Sequence, residues 1–215
     1  ADQLPKIFET ELSGLSATLG QRVSLGVEPQ AGVKVMDVLN DLDQTNTGRY
    51  KLPNLVVGSA INVVVRLQIP ALSQSAELLK VRLAWDDMDP KGRQVLRSGL
   101  ELPLVSAEQF SDFPANEVVQ EQVALLMAAR ARREAIEFSD RGDYAAASAS
   151  LQNVRIAMAC MPPSTTLLEE QSILEDLETD YQSGRVTSAR KKAFSQSYNL
   201  SRSGRSKPRR SMDEK

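Results

Sequence analysis

The chain contains no histidine. That absence excludes Ser-His-Asp and Cys-His catalysis and histidine-based zinc or iron sites, and it leaves acid–base chemistry to carboxylates, lysine or tyrosine. A single cysteine, Cys160, excludes an internal disulfide and a multi-thiolate metal site; it reads as a small apolar residue on a helix. No apolar run approaches the roughly 18 residues of a membrane-spanning helix. There is no Gly-rich phosphate loop and no Walker pattern. The opening residues, ADQLPKIFET, show no initiator Met, charged n-region or apolar h-region, so no secretory signal is expected. They read as a cut inside a longer protein, and the expected compartment is the cytoplasm, with peripheral membrane association as an alternative.

What is present is a change of hydrophobic period near residue 107. Before it, apolar residues alternate as in strands: Val23, Leu25, Val27; Ile61, Val63, Val65, Leu67, Ile69; Leu79, Val81, Leu83, Trp85. After it, they recur at helical spacing. All-β sequence followed by all-helical sequence predicts an α+β chain, an antiparallel β-sandwich followed by a small helical bundle. Four segments are expected: an amphipathic helix within 1–20, the sandwich over 21–106, the bundle over 107–199, and a disordered basic tail over 200–215. The first helix spans 2–19, with Leu4, Ile7, Phe8, Leu12, Leu15 and Leu19 on one face and Gly20 as its stop.

Six strands are predicted at 21–28, 33–39, 48–52, 60–69, 77–86 and 93–104, with a first turn at Pro29–Gly32 and Trp85 covering one end of the core. Phe110 and Phe113 are expected to tuck against the sandwich. Helices are predicted over 116–139, capped by Asn116 with Val119, Val123, Leu126, Ala129, Arg133 and Ile136 through its face; over 143–160, with Tyr144, Ala147, Leu151, Val154 and Met158 inward; over 165–183, with Thr166 and Glu169 as a capping box; and over 187–198. Arg141-Gly142-Asp143-Tyr144 resembles the turn of a tetratricopeptide-like hairpin, but no second copy follows at a fixed period.

Two acidic clusters invite chemical readings. Asp87, Asp89 and Gly92 fall at the first, third and sixth positions of a calcium loop, but Lys91 holds the fifth and Ser98 the twelfth, so the segment reads as a solvated turn. Glu169-Glu170 and Glu175-Asp176-Glu178 read as a solvated helix face with no paired-carboxylate frame for hydrolysis.

The net charge of −2 conceals an asymmetry. Residues 185–215 carry ten Lys or Arg and two acids; the rest carries sixteen bases and twenty-six acids. Lys191, Lys192, Arg202, Arg205, Lys207, Arg209 and Arg210 form a candidate anion-binding set, for nucleic acid or anionic lipid, with interleaved serines open to phosphorylation. Phe194 and Tyr198 are too few for a base-stacking platform.

Residues 2–19 resemble the closing helix of a bacterial von Willebrand factor type A domain of the calcium-activated chloride channel-like branch, whose L-P-x-I-F-x-x-E-L-x-x-L pattern is met by Leu4, Pro5, Ile7, Phe8, Glu11, Leu12 and Leu15. Arg22–Pro29, Gly32–Val35, Val64–Pro70 and Val81–Asp86 are similar to the sandwich that follows it in that family. The resemblance implies a non-enzymatic scaffolding region accessory to a type A domain, with protein partners or self-association and no small-molecule substrate. Type A domains hold a divalent ion through Asp-x-Ser-x-Ser, and that motif does not occur in this sequence. The ion is therefore expected in a domain upstream of Ala1, and no metal ligand, catalytic residue or cofactor site is assigned to this chain. Anionic-surface binding through the basic tail is the alternative.

Overall fold

A computed structural model describes residues 18–88 and 92–203. The architecture is α+β, antiparallel sheets followed by helices. The elements are β1 Thr18–Pro29, β2 Lys34–Val38, β3 Tyr50–Lys51, β4 Leu55–Val56, β5 Val65–Gln68, β6 Glu77–Asp87, β7 Arg93–Glu101, a 3-10 turn Gln109–Asp112, then α1 Glu117–Asp140, α2 Tyr144–Ala159, α3 Thr165–Gln182 and α4 Val186–Ser203. The chain forms two compact units.

Of the described residues, the first unit comprises 18–37, 42–61, 66–88 and 92–108. Its main sheet runs β3-β1-β6-β7, with β4 also pairing β1; β2 and β5 form a separate two-stranded sheet. β1 and β6 are antiparallel, as are β6 and β7. Val23, Leu25, Leu78 and Leu79 are buried, and Ser24 between the first two is buried as well, so the middle of β1 is covered on both faces. The turn after β1 takes left-handed backbone at Ala31 and Gly32, as Pro29 and Gly32 foretell.

The sequence expectation differs from the structure at several strands. The helix predicted over 2–19 lies mostly outside the described residues, and its last two residues, Thr18 and Leu19, open β1 instead. Gly20 is a strand residue rather than a helix stop. A Cβ there would lie 2.3 Å from the Trp85 ring, so the absence of a side chain admits the indole. The strand predicted over 60–69 narrows to Val65–Gln68. Phe110 and Phe113 are exposed, not tucked away.

Of the described residues, the second unit comprises 38–41, 62–65 and 109–203. α1 packs on α2 and α4, and α2 packs on α3. Alanines 124, 128, 131 and 135 on α1, with 189 and 193 on α4, allow close helix approach, and Leu151, Met158, Leu174, Leu177 and Tyr181 fill the core. The two short segments lie within this unit through a polar network. The Asn40 side chain accepts from the Val64 amide and donates to the Asn62 carbonyl, both at 2.9 Å. The Arg130 guanidinium donates to the Val38 and Leu39 carbonyls at 2.9 and 3.1 Å.

The caps follow the sequence at α1 and α2, where Asn116 and Asp143 accept from the Val119 and Ala146 amides. At α3 the cap is Ser164, not the Thr166–Glu169 box. Ser164 follows two prolines, takes extended backbone, and accepts from the Leu167 amide at 3.1 Å. Val119 and Tyr144, expected inward, are exposed in the first turns of their helices. α4 continues to Ser203, past the expected end at Tyr198 and into the expected tail, because Leu200 is buried with Leu125 and Ala129.

The larger correction concerns charge. Glu170 and Glu178, read as a solvated face, are buried. Glu170 pairs with the fully buried Arg132 of α1 at 2.5 Å, and Glu178 receives two bonds from Arg155 of α2, at 2.8 and 3.1 Å. These contacts hold the Arg155 guanidinium above its ordinary pKa, through the hydrogen bond to Glu178 first. Arg132 Nε and Nη2 have no hydrogen-bond partner among the described residues, so Glu170 is the group that compensates this buried charge. Glu170→Ala is expected to destabilise the protein by about 3–5 kcal/mol, the usual cost of orphaning a buried charge. The double variant Arg132→Met/Glu170→Leu should recover most of that loss. Urea denaturation of the three variants checks this; equal losses in single and double variants would contradict it.

Candidate functional site

The described residues bring together a set of cations that sequence inspection did not group. Along β6, Lys80, Arg82, Ala84 and Asp86 alternate onto one face. Register sets Arg82 opposite Gly26 of β1 and Arg97 of β7, and Asp86 opposite Arg93. A Cβ on Gly26 would lie 3.6 Å from Arg82 Cβ and 3.9 Å from Arg49 Cγ, so both arginine stems cross the gap that this glycine leaves. Lys51, opposite Ser24, extends the same face.

Asp86 organises one end. It accepts from Arg93 Nη1 at 2.7 Å and pairs with Arg22, and these contacts, Arg93 first, hold its carboxyl below the ordinary carboxylate range. Arg93 Nη2 also donates to Ser24 Oγ at 3.1 Å. Arg22 sits at a β-bulge between Gln21 and Ser24 with φ 49°, which re-aims its side chain towards Asp86. At the other end Lys80 pairs with Glu77 at 3.3 Å.

Between these ends, Arg49, Arg82 and Arg97 form no ion pair among the described residues. Desolvation, then the neighbouring charges of Arg49, Arg97 and Arg93, lower the Arg82 pKa against the weaker opposing charge of Glu28, and the guanidinium remains protonated. Arg82 Nη1 is buried with no hydrogen-bond partner among the described residues. Two grooves flank the cluster. One, of about 590 Å³, is lined by Arg22, Ser24, Thr45, Arg49, Lys51 and Arg93; the other, of about 430 Å³, by Glu77, Lys80, Arg82 and Arg97 among others. Guanidinium forks suit carboxylate or phosphate oxygens. The sequence signal was the Lys80/Arg82 and Arg93/Arg97 alternation; the cross-strand register that unites them was not legible.

The anion set expected from sequence is placed differently. Lys191 is exposed on α4. Lys192 Nζ donates to Asp180 at 2.7 Å, and Arg185 binds the other oxygen of that carboxylate at 2.8 Å. Arg202 lies in the last turn of α4. Arg205, Lys207, Arg209 and Arg210 lie outside the described residues, as do Asp89 and Lys91 of the acidic tip. Among the described residues no group of three or more acids or cysteines is placed to hold a metal ion.

The chain matches no protein-family model and no curated protein. Its fold is similar to a solved structure, von Willebrand factor type A from Catenulispora acidiphila, with a TM-score of 0.52 and 14% identity over 84% of this chain and 42% of that one. A second similar structure is the ArnB paralog VWA2 from Sulfolobus acidocaldarius, with TM-score 0.46, 15% identity, and coverage of 82% and 43%. This chain thus spans less than half the length of each. The first likeness supports a von Willebrand factor type A-like fold; it does not extend to the chloride channel-like branch or to a type A domain lying upstream of this chain.

The Asp180 site has a pH consequence. Lys192 first, against the opposing effect of burial, and then Arg185 lower its pKa below the ordinary 3.8. A depressed folded-state value contributes stability that is complete above the unfolded value and lost as pH falls through the folded one. Stability measured by urea denaturation should therefore decline below about pH 4, with a shallower decline in Asp180→Asn. An identical slope in the variant would contradict this.

Proposed function

We propose that this chain is a non-enzymatic protein-interaction region accompanying a von Willebrand factor type A domain, of the calcium-activated chloride channel-like branch that residues 2–19 resemble. The observation that carries the reading is the cluster of Arg49, Arg82 and Arg97, held on a sheet face without ion-pair partners among the described residues. Arginine presented on a firm scaffold is a common energetic anchor of protein interfaces. The fold likeness supports a type A-like fold, a class that commonly mediates protein interactions. On this reading the partners are proteins, a second copy among them; any divalent ion belongs to the type A domain; and the region binds no cofactor or small-molecule substrate. Cytoplasmic residence is part of the proposal, and among the described residues no helix is long and apolar enough to cross a membrane.

The test compares the full-length protein with one lacking residues 18–203, by cross-linking and mass spectrometry. Loss of specific partners and a smaller complex are expected; unchanged partners and complex mass would overturn the reading.

A second reading, anionic-surface binding through α4 and the basic segment after it, is favoured by one observation: Lys191, Phe194 and Tyr198 are exposed on successive turns of α4. Binding to vesicles containing phosphatidylserine, or to heparin, should then fall steeply with salt and vanish on deletion of residues 200–215. Salt-independent binding, or binding that survives the deletion, would dismiss it.

A further inference from the structure

β7 is an end strand of the main sheet, with β6 on one side. It runs nine residues, and its register with β6 is regular from Arg93 to Gly99. The strand RQVLRSGLE contains no proline and carries no bulge over that stretch; its edge is marked by charge alone, Arg93, Arg97 and Glu101, which selects the strand that can pair there. An end strand of an antiparallel ladder turns alternate amide and carbonyl groups away from its neighbour, where another strand can meet them.

The two faces of this edge differ in chemistry. Leu96 and Leu100 lie opposite Leu83 and Leu79 of β6 and continue that apolar row outward. Leu79 is 5% exposed, but Leu96 is 58% and Leu100 38% exposed, so the row ends before it is covered. On the other face Arg93 and Arg97 lie opposite Asp86 and Arg82. Arg93 is engaged with Asp86, whereas Arg97 faces the Arg82 charge without an ion pair among the described residues.

We propose that the β7 edge binds an extended strand of a protein partner in which apolar and acidic residues alternate. The backbone pairing adds one strand to the sheet. Its apolar residues continue the Leu96–Leu100 row, and its carboxylates meet Arg97 and Arg93 on the opposite face, offsetting the repulsion between Arg97 and Arg82. The same charges disfavour a second copy as occupant, because antiparallel pairing of two β7 strands brings like arginine faces together. This inference rests on the protein-interaction reading and gives the chemistry of the partner.

The probe is a fluorescein-labelled nine-residue peptide of alternating valine and glutamate, with a valine–lysine peptide as its counterpart. It is titrated against the full-length protein by fluorescence anisotropy and followed by hydrogen exchange. The glutamate peptide should bind, slow exchange over 93–101, and bind about tenfold or more weakly to Arg97→Glu and to Leu96→Lys. Both substitutions fall on exposed positions, and unchanged thermal unfolding of each variant separates lost binding from lost fold. Equal affinity for the two peptides, no binding, or protection confined to other segments would overturn the proposal. So would concentration-dependent dimerisation abolished by Leu96→Lys, which would assign the edge to a second copy. If the peptide fails while deletion of residues 18–203 still removes partners, the strand proposal falls and the interaction reading stands. If that deletion changes nothing, the interaction reading itself fails.

Discussion

A guanidinium sealed from water imposes a demand that the helical unit is built to meet. Arg132 is fully buried among the α1 alanines, and one carboxylate oxygen of Glu170, 2.5 Å away on α3, compensates its charge. Desolvating both ions costs several kcal/mol each, so the arrangement survives only where close packing keeps the two in register. Small residues at 124, 128, 131 and 135 permit that closeness. The pair also ties α1 to α3, which are not consecutive in the chain.

Further charges complete a circuit around the bundle. Arg155–Glu178 joins α2 to α3, Arg190–Asp140 joins α4 to α1, and Asp180 receives Arg185 and Lys192 from the far side of the α3–α4 turn. The hydrogen bond from Arg190 holds the Asp140 carboxyl below its ordinary range. A bundle rich in alanine buries little area per residue, and directional charge pairs supply a choice of helix neighbours that non-directional packing leaves weakly specified. In this unit the basic character of α4 is therefore partly internal, with Arg190 directed at Asp140 of α1 and Lys192 at Asp180 of α3.

Much of this architecture was legible from residue spacing. The switch from a two-residue to a helical period near residue 107 located the boundary between strand and helix, and Asn116, Asp143 and Gly142 marked helix ends because capping is a local event. Information carried between distant segments was not legible. Nothing in the text of α3 distinguishes buried Glu170 from exposed Glu169; the difference is made by Arg132, 38 residues away. Likewise, alternation assigns Arg82 and Arg97 to faces of their own strands, but only the pairing of β6 with β7 and β1 shows that those faces are one. The exposed Phe110 and Phe113 mislead for the complementary reason: hydrophobicity predicts a preference for burial, not the presence of a neighbour to provide it.

One further feature acquires a practical meaning from its position. Cys160 closes α2 as an exposed thiol, its Sγ 3.6 Å from the Ile156 carbonyl, and no other cysteine occurs in the sequence. A maleimide dye or spin label would therefore attach at a single native position on the helical unit, giving a reporter of known location without removal of competing sulfhydryls from these 215 residues.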